Sequence, residues 1–388
     1  MKAVILAAGE GRRLEPLTHH RPKPMVPIAN QPLLEYVIQA VSDAGIDEIV
    51  LVVGYKRERI QSYFENGDDW DVEIEYAVQD KQLGTGHAIL QAEPFVDDDF
   101  LVLNGDRIID ASLVERFTDI ECSGDAYLAV SRVDAPERYG VVELDGDHVT
   151  TFTEKPTRER LSSDLINAGV YCFSPNIFAA ITETETAGTG ELAITDTLQG
   201  FIDDDHLKAV RYDGRWLDVS YLWDIVWVNA AVIDRGGPWI DDSASIHDTA
   251  AVSETTAIGH ASTIEPNATI LRGTAIGDNV RIGSNAVVEN TVILSDVSIQ
   301  PGTVVRDAII AENATIGPNT TIEGGPADVI VDGELYEDVA LGGVIGDNAR
   351  LGGHVSVTPG SILGDGSTAE TGVTLTGRIP PDTEVRRG

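Results

Sequence analysis

Short apolar runs alternate with stretches of helical spacing over the first 235 residues. The runs KAVILAA, EIVLVVG, FLVLNGD, AYLAVSRV and NAGVYCFS predict strands. Between the first two, PLLEYVIQAVSDAG has apolar residues at helical spacing, and the predicted helix ends at Gly45. Strands separated by helices favour an α/β fold whose sheet is mainly parallel and whose crossovers are right-handed.

A different pattern begins after residue 240, where an aliphatic residue recurs at every sixth position. A period of six is neither helical nor simple strand alternation, and it predicts a parallel β-helix with three short strands per coil and the aliphatic residues inside. An insertion at 324–338 interrupts the repeat, which we expect to resume at Val339. The first seven inward positions are Ile246, Val252, Ile258, Ile264, Ile270, Ile276 and Ile282.

Length and linker composition indicate two domains, because 388 residues exceed what one ordinary core holds. The stretch LWDIVWVNAAVIDR predicts a helix that closes the first domain, and GGPW at 236–239 predicts the linker. We therefore expect an α/β domain over 1–235 and a β-helix domain over 240–388.

The chain is strongly acidic, with 64 Asp and Glu against 27 Lys and Arg and a net charge of −37. An acidic partner-binding face and a solvated surface suited to very high salt both explain this charge, and the even spread of acidic runs favours the second. Binding to nucleic acid requires a basic face and is not expected.

Neither a membrane anchor nor a disulfide framework is expected. No apolar run reaches spanning length, and the N-terminal run breaks at a glycine, so it fits a strand better than a signal peptide. The two cysteines, Cys122 and Cys172, are expected to be buried and reduced. These features predict a cytoplasmic protein.

The first predicted strand leads into LAAGEGRRLEPLTHHRPKP, residues 6–24, where a parallel sheet places its ligand. Gly9 and Gly11 let backbone N–H groups approach an anion, and we expect the N-terminus of a following helix to add to this. A dinucleotide-binding fingerprint would need a third glycine where Leu14 stands, and the Gly-Lys-Ser/Thr of a P-loop is absent. The pattern predicts a phosphate loop of another kind.

The longer stretch LAAGEGRRLEPLTHHRPKPMVPIANQPLLEY resembles the signature of sugar-1-phosphate nucleotidyltransferases, which make NDP-sugars. The resemblance covers the whole chain, since many members carry a left-handed hexapeptide β-helix after a Rossmann-like domain. It implies a catalytic arginine at Arg13 and nucleotide contacts from Leu6 and Ala8. Arg12 stands where the family usually has Ser or Thr, and we expect it to be a second phosphate contact.

Further motifs extend the resemblance to the base and the sugar. In VQDKQLGTGHAI, Gln79 is expected to hydrogen-bond a pyrimidine edge, with Gly84 and Thr85 shaping the turn beside the base. The motifs YGVV, FTEKP and NAGVY imply a sugar-phosphate site formed by Gly140, Glu154, Lys155, Asn167 and Gly169.

Two aspartates are expected to bind Mg²⁺ as the cofactor. Asp106 ends the apolar run FLVLNGD, and strand-end carboxylates together with phosphate oxygens suit this ion. Asp218 matches the family's Trp-x-Asp, although VSY follows it where Ile-Gly-Thr is commoner.

The resemblance implies in-line attack of a sugar-1-phosphate oxygen on the α-phosphorus of a nucleoside triphosphate, with pyrophosphate leaving. Lys155 would hold the attacking phosphate, Lys23 would contact the α-phosphate, and Arg13 would bind the leaving phosphates. The nucleotide is expected to be UTP or dTTP and the sugar phosphate of the glucose-1-phosphate type. Flat coil faces also predict a homo-oligomer, a trimer through the β-helix.

Three other functions remain open. The β-helix of some relatives acetylates amino-sugar phosphates with acetyl-CoA, and GGHVSVTPGSILG resembles their tail, although the insertion lacks a clear His–Tyr pair. Regulatory subunits of a translation-initiation exchange factor share the two-domain organisation but typically lose the loop and the metal carboxylates. A guanylyltransferase making GDP-mannose is disfavoured by Gln79.

Overall fold

The computed structural model describes residues 1–185 and 190–387. By their internal contacts the residues form two compact units. The first unit comprises Met1–Glu10, Arg21–Met25 and Leu33–Asp218, and the second comprises Gly11–His20, Val26–Pro32 and Val219–Gly388. Two short N-terminal segments and the helix predicted to close the first domain thus belong to the second unit.

The described residues contain seven α-helices, none of which has the length and apolar content needed to cross a membrane. The predicted first helix is confirmed as α1, and the stretch LWDIVWVNAAVIDR forms a helix, α7, as predicted. The helices are α1 (Leu33–Asp43), α2 (Arg57–Phe64), α3 (Thr85–Leu90), α4 (Ala111–Thr118), α5 (Asn176–Glu183), α6 (Ile194–Asp203) and α7 (Leu222–Gly236).

All five apolar runs predicted as strands form strands, namely β1, β4, β6, β8 and β11. The strands up to Asp218 are β1 (Lys2–Ala7), β2 (Pro27–Ile28), β3 (Gln31–Pro32), β4 (Glu48–Val53), β5 (Glu73–Val78), β6 (Phe100–Asn104), β7 (Arg107–Ile109), β8 (Ala126–Arg132), β9 (Gly140–Asp145), β10 (His148–Glu154), β11 (Leu165–Phe173), β12 (Leu207–Tyr212) and β13 (Trp216–Asp218).

The first unit is built on a sheet whose described strands have the order β5-β4-β1-β6-β11-β8-β12-β10-β9. Its first four strands are parallel, as is the β8–β12 pair, whereas β11 runs antiparallel to β6 and β8. Strand β1 is covered on both faces: Ile5 packs in the same cluster as Val37 and Ile38 of α1, and Val4 packs in the cluster on the other face. Such two-sided burial explains why its sequence is a continuous apolar run.

The second unit contains the predicted parallel β-helix, whose described strands form three sheets of eight, eight and seven strands. The inward aliphatic residues from Ile258 to Ile282 are at most 1% exposed, while Ile246 and Val252 of the first coil are partly buried. Up to the insertion the strands are β14 (Trp239–Ile240), β15 (Ser245–Ile246), β16 (Ala251–Val252), β17 (Thr256–Ile258), β18 (Thr263–Ile264), β19 (Thr269–Ile270), β20 (Thr274–Ile276), β21 (Arg281–Ile282), β22 (Val287–Glu289), β23 (Val292–Ile293), β24 (Ser298–Ile299), β25 (Val304–Arg306), β26 (Ile309–Ile310), β27 (Thr315–Ile316) and β28 (Thr321–Ile322).

The insertion is an antiparallel hairpin of β29 (Pro326–Val331) and β30 (Glu334–Ala340). The expectation that the repeat resumes at Val339 is wrong, because Val339 pairs with Ala327 inside this hairpin. The coils resume at β31, which pairs with β26 and so continues the same sheet across the insertion. The remaining strands are β31 (Val344–Ile345), β32 (Arg350–Leu351), β33 (Ser356–Val357), β34 (Ile362–Leu363), β35 (Thr368–Ala369), β36 (Thr374–Leu375), β37 (Arg378–Ile379) and β38 (Glu384–Val385).

Helix α7 joins the N-terminal segments to the β-helix within the second unit. Asn229 is fully buried on this helix; its side-chain oxygen accepts from Ala29 N at 2.9 Å, and its amide donates to Gly273 O at 2.9 Å. Because a buried amide is stable only when it is paired, Asn229 fixes the segment 26–32 against the first coils.

Candidate functional site

A cleft of about 450 Å³ lies at the carboxyl ends of β1 and β6 in the first unit. We call it the strand-end cleft. Parallel sheets bind ligands at this edge, so the location agrees with the sequence-based expectation. The cleft is lined by several residues singled out from the sequence, namely Leu6, Ala8, Gly9, Lys23, Gln79, Gly84, Thr85 and Asp106.

Gly105 places Asp106 at the floor of this cleft. The chain leaves β6 and passes close over β1, where Gly105 N donates to Leu6 O at 2.9 Å. A Cβ at position 105 would lie 2.9 Å from that same oxygen, so only glycine fits this crossing. The next residue, Asp106, thus emerges beside the end of β1.

Asp106 is held between two cations. Lys23 Nζ lies 2.5 Å from its Oδ2, and Arg107 Nη1 lies 3.2 Å from its Oδ1. Burial alone would raise the pKa of Asp106, but the charges of Arg107 and Lys23 outweigh it and lower that pKa well below its ordinary value. Asp106 is therefore an ionised carboxylate over the whole neutral pH range.

Strand pairing brings Asp218 to the same guanidinium. Strand β13 runs antiparallel to β7, and the register sets Asp218 opposite Arg107. Asp218 Oδ1 accepts a short hydrogen bond from Arg107 Nη1, the same nitrogen that pairs with Asp106. Burial opposes the charge of Arg107, yet the two carboxylates raise the pKa of the guanidinium above its ordinary value. The two aspartates converge on one cationic position.

This convergence fits a divalent cation. Oδ1 of Asp106 is buried and accepts no hydrogen bond from the described residues, although Arg107 Nη1 lies 3.2 Å away, so its bonding capacity is left for a metal. Two carboxylates plus phosphate oxygens form the ligand set that Mg²⁺ prefers. The Arg107 guanidinium would have to move from between the carboxylates for the ion to touch both.

Gln79 is 4% exposed and its amide is fixed by two neighbours. Its Nε2 donates to Gly84 O at 3.1 Å and lies 3.0 Å from His87 Nδ1. These contacts assign the amide orientation. Within the described chain no group donates to Oε1, so Gln79 presents an acceptor to the cleft.

Gly84 and Thr85 have structural roles in the turn beside Gln79. Gly84 has φ +100°, and a Cβ there would lie 2.4 Å from Leu192 O. The Thr85 hydroxyl accepts from Ile194 N at 2.9 Å. Both residues therefore pack the turn against the segment that precedes α6. Their approach to a nucleotide base stays a prediction.

The predicted sugar-phosphate residues lie on β9, at the end of β10, directly after β10 and on β11 in the first unit. Gly140 pairs with Glu154, and Lys155 follows with its backbone N–H bonded to Tyr139 O at 3.0 Å. Lys155 is exposed and forms no ion pair with any described residue. A cation in this state can accept a phosphate without losing a protein partner.

Asn167 and Gly169 connect this region to the strand-end cleft. Asn167 Oδ1 accepts from Gly169 N at 2.9 Å and its amide donates to Tyr171 Oη at 2.7 Å. A Cβ at Gly169, which has φ +75°, would lie 2.4 Å from Nδ2 of Asn104, a residue that lines the cleft. The geometry requires glycine there.

Gly11, Arg12 and Arg13 belong to the second compact unit. The expectation that a helix follows the glycines is wrong, because Arg12–Leu14 is a single 3₁₀ turn and α1 begins only at Leu33. The prolines that recur through the segment lack the N–H that a continuous helix needs. Gly11, at φ +74°, begins the turn and accepts from Leu14 N at 2.9 Å.

Among the cleft-lining residues that were not predicted, Arg107 and Gln82 make contacts that fix the site. Arg107 links both aspartates, and Gln82 donates from its amide to Ala8 O at 2.9 Å, which fixes the end of the first strand. Gln82 lies inside the motif VQDKQLGTGHAI and could have been selected from it. Arg107 had no such signal, since a charged residue after a strand-end aspartate usually faces solvent.

Comparison with known families decides the class. The family model described as Nucleotidyl transferase matches residues 2–235, more than half of the chain. The chain belongs to the nucleotidyl transferase family. The coils match two further models, an EIF2B subunit epsilon LbH domain over 235–335 and a hexapeptide repeat of succinyl-transferase over 344–377. The predicted enzyme class and the predicted left-handed hexapeptide β-helix are thereby confirmed.

The relatives of this nucleotidyl transferase match about 60% of its length. The bifunctional protein GlmU of Methanococcus maripaludis is 42% identical over 236 residues, 61% of this chain and 55% of the relative. The low-salt glycan biosynthesis nucleotidyltransferase Agl11 of Haloferax volcanii is 40% identical over 240 residues, 60% of this chain and 66% of the relative. The chain thus matches about half to two thirds of the length of these relatives.

A solved structure supports the same fold. A chain described as a glucose-1-phosphate thymidylyltransferase from Bacillus anthracis, in complex with sucrose, matches with a TM-score of 0.55 and 29% identity. The match covers 60% of this nucleotidyl transferase and 94% of that chain.

Proposed function

We propose that this nucleotidyl transferase joins the nucleotidyl group of UTP or dTTP to a sugar-1-phosphate of the glucose-1-phosphate type and releases pyrophosphate. The observation that carries the proposal is the strand-end cleft, where Lys23, Asp106 and the acceptor of Gln79 line one cavity. The similarity to a chain described as a glucose-1-phosphate thymidylyltransferase and to a nucleotidyltransferase of glycan biosynthesis supports it.

The reaction needs no protein nucleophile, because the sugar phosphate itself attacks the α-phosphorus. Its barrier comes from bringing two anions together, so catalysis rests on alignment and on fixed positive charge. We assign Lys155 to the attacking phosphate, Lys23 to the α-phosphate and Arg13 to the leaving β- and γ-phosphates. The amides of Gly9 and Gly11 would assist at the leaving group.

Mg²⁺ is proposed as the cofactor, held by Asp106 and Asp218. When bound, it would supply positive charge to the phosphate oxygens. Lys23 pairs with Asp106 in this structure. When metal and substrate bind, the lysine would exchange this carboxylate for the α-phosphate. Assembly as a trimer through the β-helix also stays a prediction.

Gln79 is expected to select the base. An acceptor suits the N3–H of uracil or thymine and opposes cytosine, whose N3 is itself an acceptor. Gln79→Ala should lower kcat/KM for UTP or dTTP about three- to ten-fold, the effect of one hydrogen bond. The ratio of kcat/KM for UTP or dTTP to that for CTP should fall by the same factor. Steady-state pyrophosphate release with each nucleotide measures both changes.

Gln91→Ala is the matched control for Gln79. The Gln91 amide also contacts His87, donating to its backbone oxygen at 2.9 Å, but Gln91 is not among the residues that line the cleft. Its kinetics should stay within two-fold of the unmodified protein. A preference for UTP over CTP that survives Gln79→Ala intact would remove Gln79 from base selection.

A substrate panel tests the proposed function directly. The protein is incubated with each of UTP, dTTP, CTP, ATP and GTP and with glucose-1-phosphate or N-acetylglucosamine-1-phosphate, in molar KCl with Mg²⁺. Release of pyrophosphate and formation of an NDP-sugar are expected with UTP or dTTP. If no combination releases pyrophosphate above the rate without protein, the proposed function is wrong.

Acetyl transfer is a second candidate, favoured by the similarity to a protein described as bifunctional. The match covers 55% of that protein. Two histidines of the β-helix contact nearby hydroxyls, His247 within its own turn and His260 in the preceding coil. His260 Nδ1 lies 2.8 Å from Ser243 Oγ, and His247 Nδ1 lies 3.0 Å from Thr249 Oγ1. Consumption of acetyl-CoA with glucosamine-1-phosphate would establish this activity.

A further inference from the structure

The tip of the β29–β30 hairpin contacts the arginine assigned to the leaving phosphates. Arg13 and the hairpin both belong to the second compact unit. Arg13 Nε donates to Oδ2 of Asp332, which lies between the two hairpin strands, at 3.3 Å. Among the described residues, Asp332 is the one whose side chain accepts a hydrogen bond from the Arg13 guanidinium. The insertion in the β-helix thus contacts the segment Gly11–His20 of the same unit.

An aromatic cluster supports the same contact. The guanidinium carbon of Arg13 lies 5.7 Å from the ring centre of Tyr221. Tyr221 stacks on Trp223 with ring centres 4.6 Å apart, and its hydroxyl lies 2.7 Å from that of Tyr336 on β30. The hairpin therefore supplies both the carboxylate and one hydroxyl that fixes the ring beneath the arginine.

Stability alone does not account for this ion pair. The side chains of Arg13 and Asp332 are 42% and 66% exposed, and pairs so exposed contribute little to folding. The distance of 3.3 Å also exceeds that of a strong charge-assisted hydrogen bond. Folding stability is therefore a weak explanation for this pair.

We propose that Asp332 is a positioning residue for the leaving-group arginine, supplied by the β-helix insertion. A carboxylate on Nε leaves both terminal nitrogens of Arg13 for phosphate oxygens, and a planar guanidinium binds phosphate best through such paired donors. Tyr221 restricts the guanidinium plane from below. The inference rests on the proposed function, since it takes Arg13 as the ligand of the β- and γ-phosphates.

Asp332→Asn tests the proposal in the full-length protein. Its kcat/KM for the nucleoside triphosphate is expected to fall about three- to ten-fold, because an arginine held less firmly aligns the leaving group less well. The KM for the sugar-1-phosphate should not change. In the reverse reaction, the KM for pyrophosphate should rise by a similar factor while that for the NDP-sugar stays constant. A purely structural defect would change the parameters for the sugar-1-phosphate and the NDP-sugar as well as those for the triphosphate and pyrophosphate.

Three further variants complete the design. Glu337→Gln removes the same charge from the same hairpin and should leave the kinetics unchanged, since among the described residues the Glu337 side chain makes no hydrogen bond or ion pair with Arg13 or Tyr336. Asp332→Glu should restore most of the activity. In an Arg13→Ala background, Asp332→Asn should have no further effect, because the residue acts through Arg13.

The outcomes separate this inference from the proposed function. If the unmodified protein is active and Asp332→Asn matches it, or binds triphosphate more tightly because a competing anion is gone, Asp332 does not position Arg13. The same conclusion follows if Asp332→Asn still lowers activity in the Arg13→Ala background. If the unmodified protein releases no pyrophosphate with any substrate pair, the proposed function itself is wrong.

Discussion

Asp106→Asn is expected to lower kcat for pyrophosphate release by about 10²–10³, the usual cost of removing one preorganised electrostatic group. The neutral amide would lose the charge that pairs with Lys23 Nζ at 2.5 Å and with Arg107 Nη1 at 3.2 Å. It would also lose an oxygen proposed to bind Mg²⁺. Initial rates at saturating substrate, with circular dichroism to verify folding, measure the effect.

Asp110→Asn is the control for this variant. Asp110 lies four residues further along the chain, at the N-cap position of α4, and pairs with Arg215 Nε at 3.2 Å. It does not line the strand-end cleft, and its side chain makes no capping hydrogen bond that the change would remove, so activity should be retained. If Asp106→Asn keeps near-normal kcat, Asp106 has no catalytic role and the metal assignment is lost with it.

Arg107→Met is expected to lower the free energy of unfolding by about 3–5 kcal/mol, because it leaves the buried Asp218 without its cation and leaves Asp106 with Lys23 alone. Asp218 is 6% exposed and bonds to Arg107, and Asp106 pairs with the same guanidinium nitrogen. Denaturant unfolding at constant high KCl measures the loss. Arg116→Met, which removes an exposed arginine bonded to Arg211 O, should cost less than 1 kcal/mol.

Mg²⁺ should compensate for part of the Arg107→Met defect. With the guanidinium gone, Asp106 and Asp218 keep only Lys23 as a neighbouring cation, so Mg²⁺ should raise the unfolding midpoint of this variant more than that of the unmodified protein. Adding Asp218→Asn should remove that extra stabilisation. A variant with normal stability would show that Arg107 does not balance the charges of the two aspartates.

Much of the fold follows from local sequence patterns. The run KAVILAA is apolar throughout because β1 is covered on both faces, and the six-residue period is unambiguous because every coil buries its aliphatic residue in the same interior. The hairpin could also have been predicted, because Asp332-Gly333 follows the apolar run VIV and Asp-Gly is a common hairpin turn. Val339 belongs to the second strand of this hairpin. It was misassigned because an aliphatic residue also suits the interior position of a coil.

The cleft was predicted where one motif or one strand end determines the position, as for Asp106 and Gln79. The missing parts depend on contacts between distant segments. Arg107 meets Asp218 through the register of β7 and β13, and Arg13 meets Asp332 across 319 residues of chain. No local pattern encodes such a pair. The segment after the first strand also lacks the expected helix and forms only a 3₁₀ turn. The prolines that recur in this segment lack the N–H groups that a continuous helix needs.

The β-helix holds parts of the N-terminal loop, and this limits where the protein can be divided. Asn30 donates from its amide to Ile276 O at 2.8 Å, and His19 Nδ1 lies 2.8 Å from Asp365 Oδ2. A truncated gene product ending after α7 would keep every residue of the family match yet lose the surface on which residues 11–20 rest. Domain exchange among homologues would therefore have to move both regions together.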